Sequence, residues 1–239
     1  MALAVSVLTT GLVSLGSAAP AAADGCYTWS GTLREGSTGE AVRQLQIRVA
    51  GWVGQDEVLS VDGEYGARTA AAVKRFQAGY GLGADGVAGP QTFNKIYELQ
   101  DNDCTPIHFT YAELDKCGDN YTGSSKASQA TAKARTLQVM WQLEALRRKL
   151  GDDPLRVTSG FRNDACNARA GGAADSPHLY GLSGDLGSGP HSLCTIYRAA
   201  RSAGFSGLLG PGYPGHDDHV HADNRHVIGR AAFRSASSC

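Results

Sequence analysis

Five of the seven histidines in the 239-residue chain lie in or beside two short stretches near its C-terminus. The first reads Ser176-Pro177-His178-Leu179-Tyr180-Gly181-Leu182-Ser183-Gly184-Asp185, and the second Gly215-His216-Asp217-Asp218-His219-Val220-His221. Two neutral imidazoles and a carboxylate are the donors of a catalytic zinc site, with the fourth position left open for water; closed structural sites are usually rich in Cys. If residues 219–221 are extended, His219 and His221 share one face, because side chains alternate along a strand. On that geometry either Asp185 or His178 completes the site. Spacing alone does not choose between them, and the same His-x-His pair also fits a plain surface role.

These residues must be positioned by the segments around them. A long helix is expected from about Ala127 to Leu150, with Ala134, Leu137, Met140, Trp141 and Leu146 recurring at helical spacing. Gly151-Asp152-Asp153-Pro154 stops it. Leu155 to Ser159 then alternates like a strand, and glycine-rich loops and short strands follow, so this half reads as α+β. Residues 101–107 are polar, contain a proline and read as a linker.

Upstream lies an internal repeat. Asp62-Gly63-x-x-Gly66-x-x-Thr69 returns 23 residues later as Asp85-Gly86-x-x-Gly89-x-x-Thr92. Each copy precedes a helical pattern, and Thr69 and Thr92 are expected to be N-caps. A third helix, about Gly39 to Val49, carries Val42, Leu45 and Val49 on one face. The product is a small three-helix unit.

Net charge is -1, which argues against a nucleic-acid binder or a polybasic membrane-surface protein. A hydrophobic fraction of 42% supports a true core, and 31 glycines suggest much irregular backbone. Residues 1–23 carry no charge, have an apolar run from Leu3 to Leu15 and end in Ala21-Ala22-Ala23, which reads as a signal peptide cleaved before Asp24. The mature chain is expected to be secreted, extracellular or wall-associated, with no membrane contact and as a monomer. The even count of six cysteines fits three disulfides in an exported protein.

Two resemblances extend this reading. The pattern Leu33-x-x-Gly36-x-x-Gly39-x-x-Val42-x-x-Leu45-Gln46, Asp62-Gly63-x-Tyr65-Gly66-x-x-Thr69, Phe76-Gln77, Gly81-Leu82 and Asp85-Gly86 resembles the peptidoglycan-binding domain of bacterial wall hydrolases. Tyr65, Arg68 and Tyr80, taken as exposed, are the candidate glycan contacts. The ordered set Ser159-Gly160-Phe161-Arg162, Asn167, Gly171-Gly172-Ala173, Ser176-x-His178-x-x-Gly181-x-x-x-Asp185 and Asp218-x-x-His221 resembles the secreted zinc D-alanyl-D-alanine carboxypeptidases, relatives of the VanX dipeptidases and lysostaphin-type peptidases.

The second resemblance implies one Zn2+ per chain on His178, Asp185 and His221. His219 then sits beside the metal instead of on it. Asp218 matches the general base and Arg162 the arginine that holds and polarises the substrate, while His216 and His219 match histidines near the reacting carbonyl. Leu182 and Ser183 stand where the family often has His and Ala, and Gly184 replaces a common alanine; none of these is a ligand. The implied disulfides are Cys26–Cys104, Cys117–Cys166 and Cys194–Cys239. The implied organisation is a signal peptide (1–23), a peptidoglycan-binding domain (24–105) and a zinc carboxypeptidase domain (106–239) with a short antiparallel sheet. The implied partners are peptidoglycan and its stem peptides. A wall endopeptidase with the same zinc core and a catalytically silent wall-binding protein are the alternatives, and the intact His178, Asp185, Asp218 and His221 argue against the latter.

Overall fold

A computed structural model describes residues 25–239; the expected signal peptide lies outside the described residues. The N-terminal unit has three helices, α1 (Glu40–Val49), α2 (Ala67–Gly79) and α3 (Pro90–Glu98). Val42, Leu45, Val73, Phe76, Phe93 and Ile96 interlock between them as a single buried cluster. Thr69 and Thr92 are not N-caps. Gly66 and Gly89 precede the helices, and the threonines lie buried within the first turn. Their hydroxyls instead serve the repeat. Gln46 Nε2 donates to Asp62 Oδ1 at 2.8 Å and to Thr69 Oγ1 at 3.1 Å, while its Oε1 accepts from Gly63 N at 2.8 Å. Gln77 repeats this with Asp85, Thr92 and Gly86 at 3.0, 3.1 and 2.9 Å. Each Asp-Gly turn is thus tied to the preceding helix by one buried amide.

After the short helix α4 (Tyr111–Leu114), the C-terminal unit is built on α5 (Gln129–Lys149), capped by Ser128 Oγ, which accepts from Thr131 N. The remaining elements are β1 (Arg156–Ser159), α6 (Asp164–Arg169), β2 (Ser183–Gly187), α7 (Leu193–Ala200), β3 (Gly207–Leu209), β4 (His219–Asp223) and β5 (Phe233–Ser235), with short 3-10 helices at Pro177–Tyr180 and Arg225–Ile228. The strands form one five-stranded sheet in the order β1-β2-β4-β3-β5. Its pairs are antiparallel except β3–β5, which is parallel. The expected antiparallel sheet is therefore mixed at one edge. The chain leaving β4 crosses through the Arg225–Ile228 helix and returns in the direction of β3, the kind of connection parallel pairing requires. The three disulfides pair Cys26 with Cys104, Cys117 with Cys166 and Cys194 with Cys239.

Helix α5 is buried without interruption from Gln138 to Leu146, as expected of a helix packed on more than one side. Val139, Met140, Leu143 and Leu146 enter the core beneath the sheet, whereas Trp141 and Ala145 belong to the core of the three-helix unit. Residues 101–107 do not run free between the two units, since Trp141 Nε1 donates to the Cys104 carbonyl at 3.2 Å. Buried Arg48 lies with its guanidinium 5.7 Å from the Trp29 ring and 5.9 Å from that of Trp141. Backbones meet closely as well: a Cβ on Gly51 would fall 2.4 Å from that of Ala145, and one on Gly204 2.2 Å from the Ala50 carbonyl oxygen. Asp56 bridges Arg201 and Arg234 across the same seam. No helix among the described residues is long and apolar enough to cross a membrane.

Because Trp141 fills the N-terminal core from a helix of the C-terminal unit, Trp141→Ala should destabilise both together. Denaturant unfolding followed by calorimetry should give a single transition lowered by about 3–5 kcal/mol.

Candidate metal centre

Strands β2 and β4 pair with Asp185 directly opposite His221, so their side chains emerge side by side from the middle of the sheet. His178 arrives from the Pro177–Tyr180 3-10 helix, which ends at Gly181 in a left-handed conformation with φ 70°. A Cβ there would also lie 2.5 Å from the Ala132 carbonyl oxygen, so glycine lets the helix turn into β2 against α5. All three side chains are buried, at 3%, 4% and 5% exposed for His178, Asp185 and His221.

Their donor atoms converge within 4.8 Å of one another. His221 Nδ1 lies 2.8 Å from Asp185 Oδ1, His178 Nε2 lies 3.2 Å from the same oxygen, and the two nitrogens are 3.2 Å apart. The opposite edge of each ring is occupied. His178 Nδ1 donates to the Gly160 carbonyl and His221 Nε2 donates to Asp223 Oδ2 at 2.8 Å. Each imidazole is thus fixed with one nitrogen toward the centre, as metal-ligating histidines are. Two imidazole nitrogens and a carboxylate oxygen suit zinc, and three protein donors leave a position for water. Asp223 is fully buried and also receives Arg225 Nη2 at 2.6 Å. The sequence reading missed it; its signal was the two-residue spacing from His221 on one strand face.

Electrostatics follow from this packing. Burial opposes ionisation of Asp185, but His178 and His221 outweigh it and hold the carboxyl well below its usual range. Burial lowers His178. Burial also opposes a charge on His221, yet Asp185 and Asp223 on its two sides outweigh that and raise it to about 9. The two carboxylates thus favour positive charge at the middle of the cluster, where a cation would sit.

The other expected residues surround it. Arg162 donates from Nη2 to Asp185 Oδ2 at 2.8 Å and from Nε to Ser159 Oγ at 2.9 Å. His219 lies on the same strand face as His221, but its Nε2 stays 3.9 Å from Asp185 Oδ1 and it is outside the cluster. Its Nδ1 donates to Asp218 Oδ1 at 2.7 Å, and Asp218 is otherwise exposed, its carboxyl lowered by that bond to His219. The His216 ring is 4.8 Å from that of His219. Its Nδ1 donates to the Pro214 carbonyl at 3.0 Å, and burial lowers its pKa, leaving Nε2 free as an acceptor. A cleft of about 510 Å³ opens over the centre, with Arg162, Ser176, Tyr213, His216 and His219 in its walls. Leu182 is buried, and a Cβ on Gly184 would meet only ordinary contacts with Leu114, Leu143 and Val139. In the N-terminal unit Arg68 is exposed and Tyr80 half-buried, but Tyr65 is not the surface residue expected: it is 2% exposed and its hydroxyl donates to the Gly86 carbonyl.

Residues 107–223 match the Peptidase M15 family, and residues 38–96 match the putative peptidoglycan binding domain. Over 218 residues, 91% of this chain and 84% of the relative, the sequence is 57% identical to the zinc D-Ala-D-Ala carboxypeptidase of Streptomyces albus G. The chain belongs to the Peptidase M15 family. It is also 44% identical over 80 residues to a probable N-acetylmuramoyl-L-alanine amidase of Bacillus licheniformis, covering 32% of this chain and 22% of that one. A third relative, an uncharacterized protein in the bpoA1 3' region of Kitasatospora aureofaciens, is 32% identical over 110 residues, 45% of this chain and 90% of its own.

Zinc titration of the metal-free M15 chain should give one ion per molecule. His178→Ala and His221→Ala should bind none, and Asp223→Asn should remain folded and bind about 10–100-fold more weakly, having lost the carboxylate that orients His221.

Proposed function

We propose that this chain is a zinc D-Ala-D-Ala carboxypeptidase that removes the C-terminal residue of peptidoglycan stem peptides, with His178, Asp185 and His221 as the metal ligands. The observation that carries the reading is the convergence of those three donors beneath an open cleft, in a chain that matches the Streptomyces albus G enzyme over 91% of its length. Residues 106–239 are the peptidase unit. Residues 24–105 are the wall-binding unit, and residues 1–23 are the export signal, consistent with three disulfides in the mature chain.

Zinc held by His178, Asp185 and His221 would supply a Lewis acid that acidifies water and polarises a carbonyl. The protein does the rest. Asp218 takes the water's proton and returns it to the leaving D-alanine amine. Its bond to His219 Nδ1 holds that ring with Nε2 toward the centre, so the pair forms the proton-handling edge of the cleft. Arg162, anchored by Ser159 and Asp185, supplies positive charge where the substrate oxygen becomes negative. His216, in the cleft wall, presents Nε2 as an acceptor beside them. No acyl-enzyme is required.

Mass spectrometry of purified pentapeptide muropeptides should reveal loss of a single D-alanine, abolished by a chelator. Cleavage inside the stem or a cross-bridge would favour an endopeptidase instead. In the same assay Asp218→Asn should keep its zinc while kcat falls by roughly 10²–10⁴.

A further inference from the structure

Two glutamines one turn apart on α5 share a face but not a fate. Gln142 is 1% exposed and closed by a reciprocal amide pair with Asn224, at 3.1 and 2.7 Å. Gln138 is only 9% exposed, yet its amide has no hydrogen-bond partner among the described residues and is not sealed from solvent. It lines a cavity of about 360 Å³ between the two units. Arg135, in the same wall, pairs with no carboxylate among the described residues; its polar contact is a long 3.4 Å bond to the Tyr180 carbonyl. The other charges there are committed. Arg43 donates to the Val61 and Asp62 carbonyls, and the Asp62 carboxylate accepts from Gln46 and the Glu64 N–H. Ile47, Val61 and Val227 complete an aliphatic wall.

A buried amide without a partner is costly, and each such group asks for an explanation. What Gln138 lacks is one donor and one acceptor in a plane, which a second amide supplies, as Asn224 does for Gln142. An unpaired guanidinium suits a carboxylate, which it can hold through two parallel bonds. The aliphatic wall suits a methyl-bearing side chain, and no Trp, Tyr or Phe lines the cavity to stack a sugar ring. We infer that this cavity is a second peptide site, separate from the metal cleft, which takes an acidic, alanine-containing peptide: the L-Ala-D-Glu portion of a wall stem peptide. The choice of peptide rests on the wall being the substrate.

The site is composite. Ile47 on α1 and the Ser60–Asp62 turn come from the N-terminal unit, whereas α5 and the Arg225–Ile228 helix come from the peptidase unit. That short helix also places Arg225 in the wall of the metal cleft, so it contributes to both cavities. A stem peptide held between the units would keep the wall beside the cleft while another stem is trimmed.

The test uses the zinc-loaded mature chain and the probe acetyl-L-Ala-D-Glu, which carries the amides, methyl and carboxylates but no D-Ala-D-Ala bond. Calorimetric titration should give one saturable site, unchanged when zinc is removed. Arg135→Gln should weaken it at least about tenfold by removing the charge-assisted pair, and Gln138→Leu at least about fivefold. Both variants should keep their zinc and their kcat/KM on a free pentapeptide, which shows them folded and separates this site from the catalytic reading. Absence of saturable binding would overturn the inference, as would binding undiminished in both variants or lost with the zinc. Equal affinity for the neutral acetyl-L-Ala-D-Gln amide, or tighter binding of an N-acetylglucosamine tetramer that the same two variants weaken, would also overturn it, the latter in favour of a sugar site.

Discussion

A carboxylate buried between two imidazoles survives only where its position leaves no alternative, and the pairing of Asp185 with His221 across β2 and β4 provides that constraint. Both strands are central in the sheet, and a slip of one residue would turn either side chain to the opposite face. Everything else at the centre is referred to this pair. Arg162 takes the second oxygen of Asp185, Asp223 takes the far nitrogen of His221, and His178 is brought alongside by a helix that ends where β2 begins. Each donor is therefore held toward the centre by at least one partner besides the other two ligands.

That sheet is rigid because α5 packs beneath it with one side and into the wall-binding unit with another. Trp141, Ala145, Gly51 and Gly204 make the seam too close for a hinge, and Asp56 closes it electrostatically. The two units consequently present themselves to a wall polymer in a fixed relation.

Much of this was legible in the sequence where periodicity is local. The three N-terminal helices and α5 followed from apolar spacing within single segments. Thr69 and Thr92 were misplaced by one turn because the glycines before them start the helices, and the hydroxyls answer to Gln46 and Gln77 far along the chain. Tyr65 was misread for a similar reason: its ring fills a core and its hydroxyl a turn 21 residues away. At the centre, strand alternation correctly put His219 and His221 on one face, but alternation says nothing about depth. His219 stops short, and the place beside His221 goes to His178, brought in by a 3-10 helix 43 residues upstream. Only the resemblance anticipated that choice. The role of Asp223 depends on burial, which composition does not reveal.

The ligand set is the claim on which the rest stands, and X-ray absorption at the zinc edge counts its members directly. The zinc-loaded chain should give a four-coordinate spectrum with nitrogen and oxygen scatterers only, the multiple-scattering pattern of two imidazoles, and that same pattern in His219→Ala. A third imidazole that vanishes in His219→Ala, or a sulfur scatterer, would contradict the account.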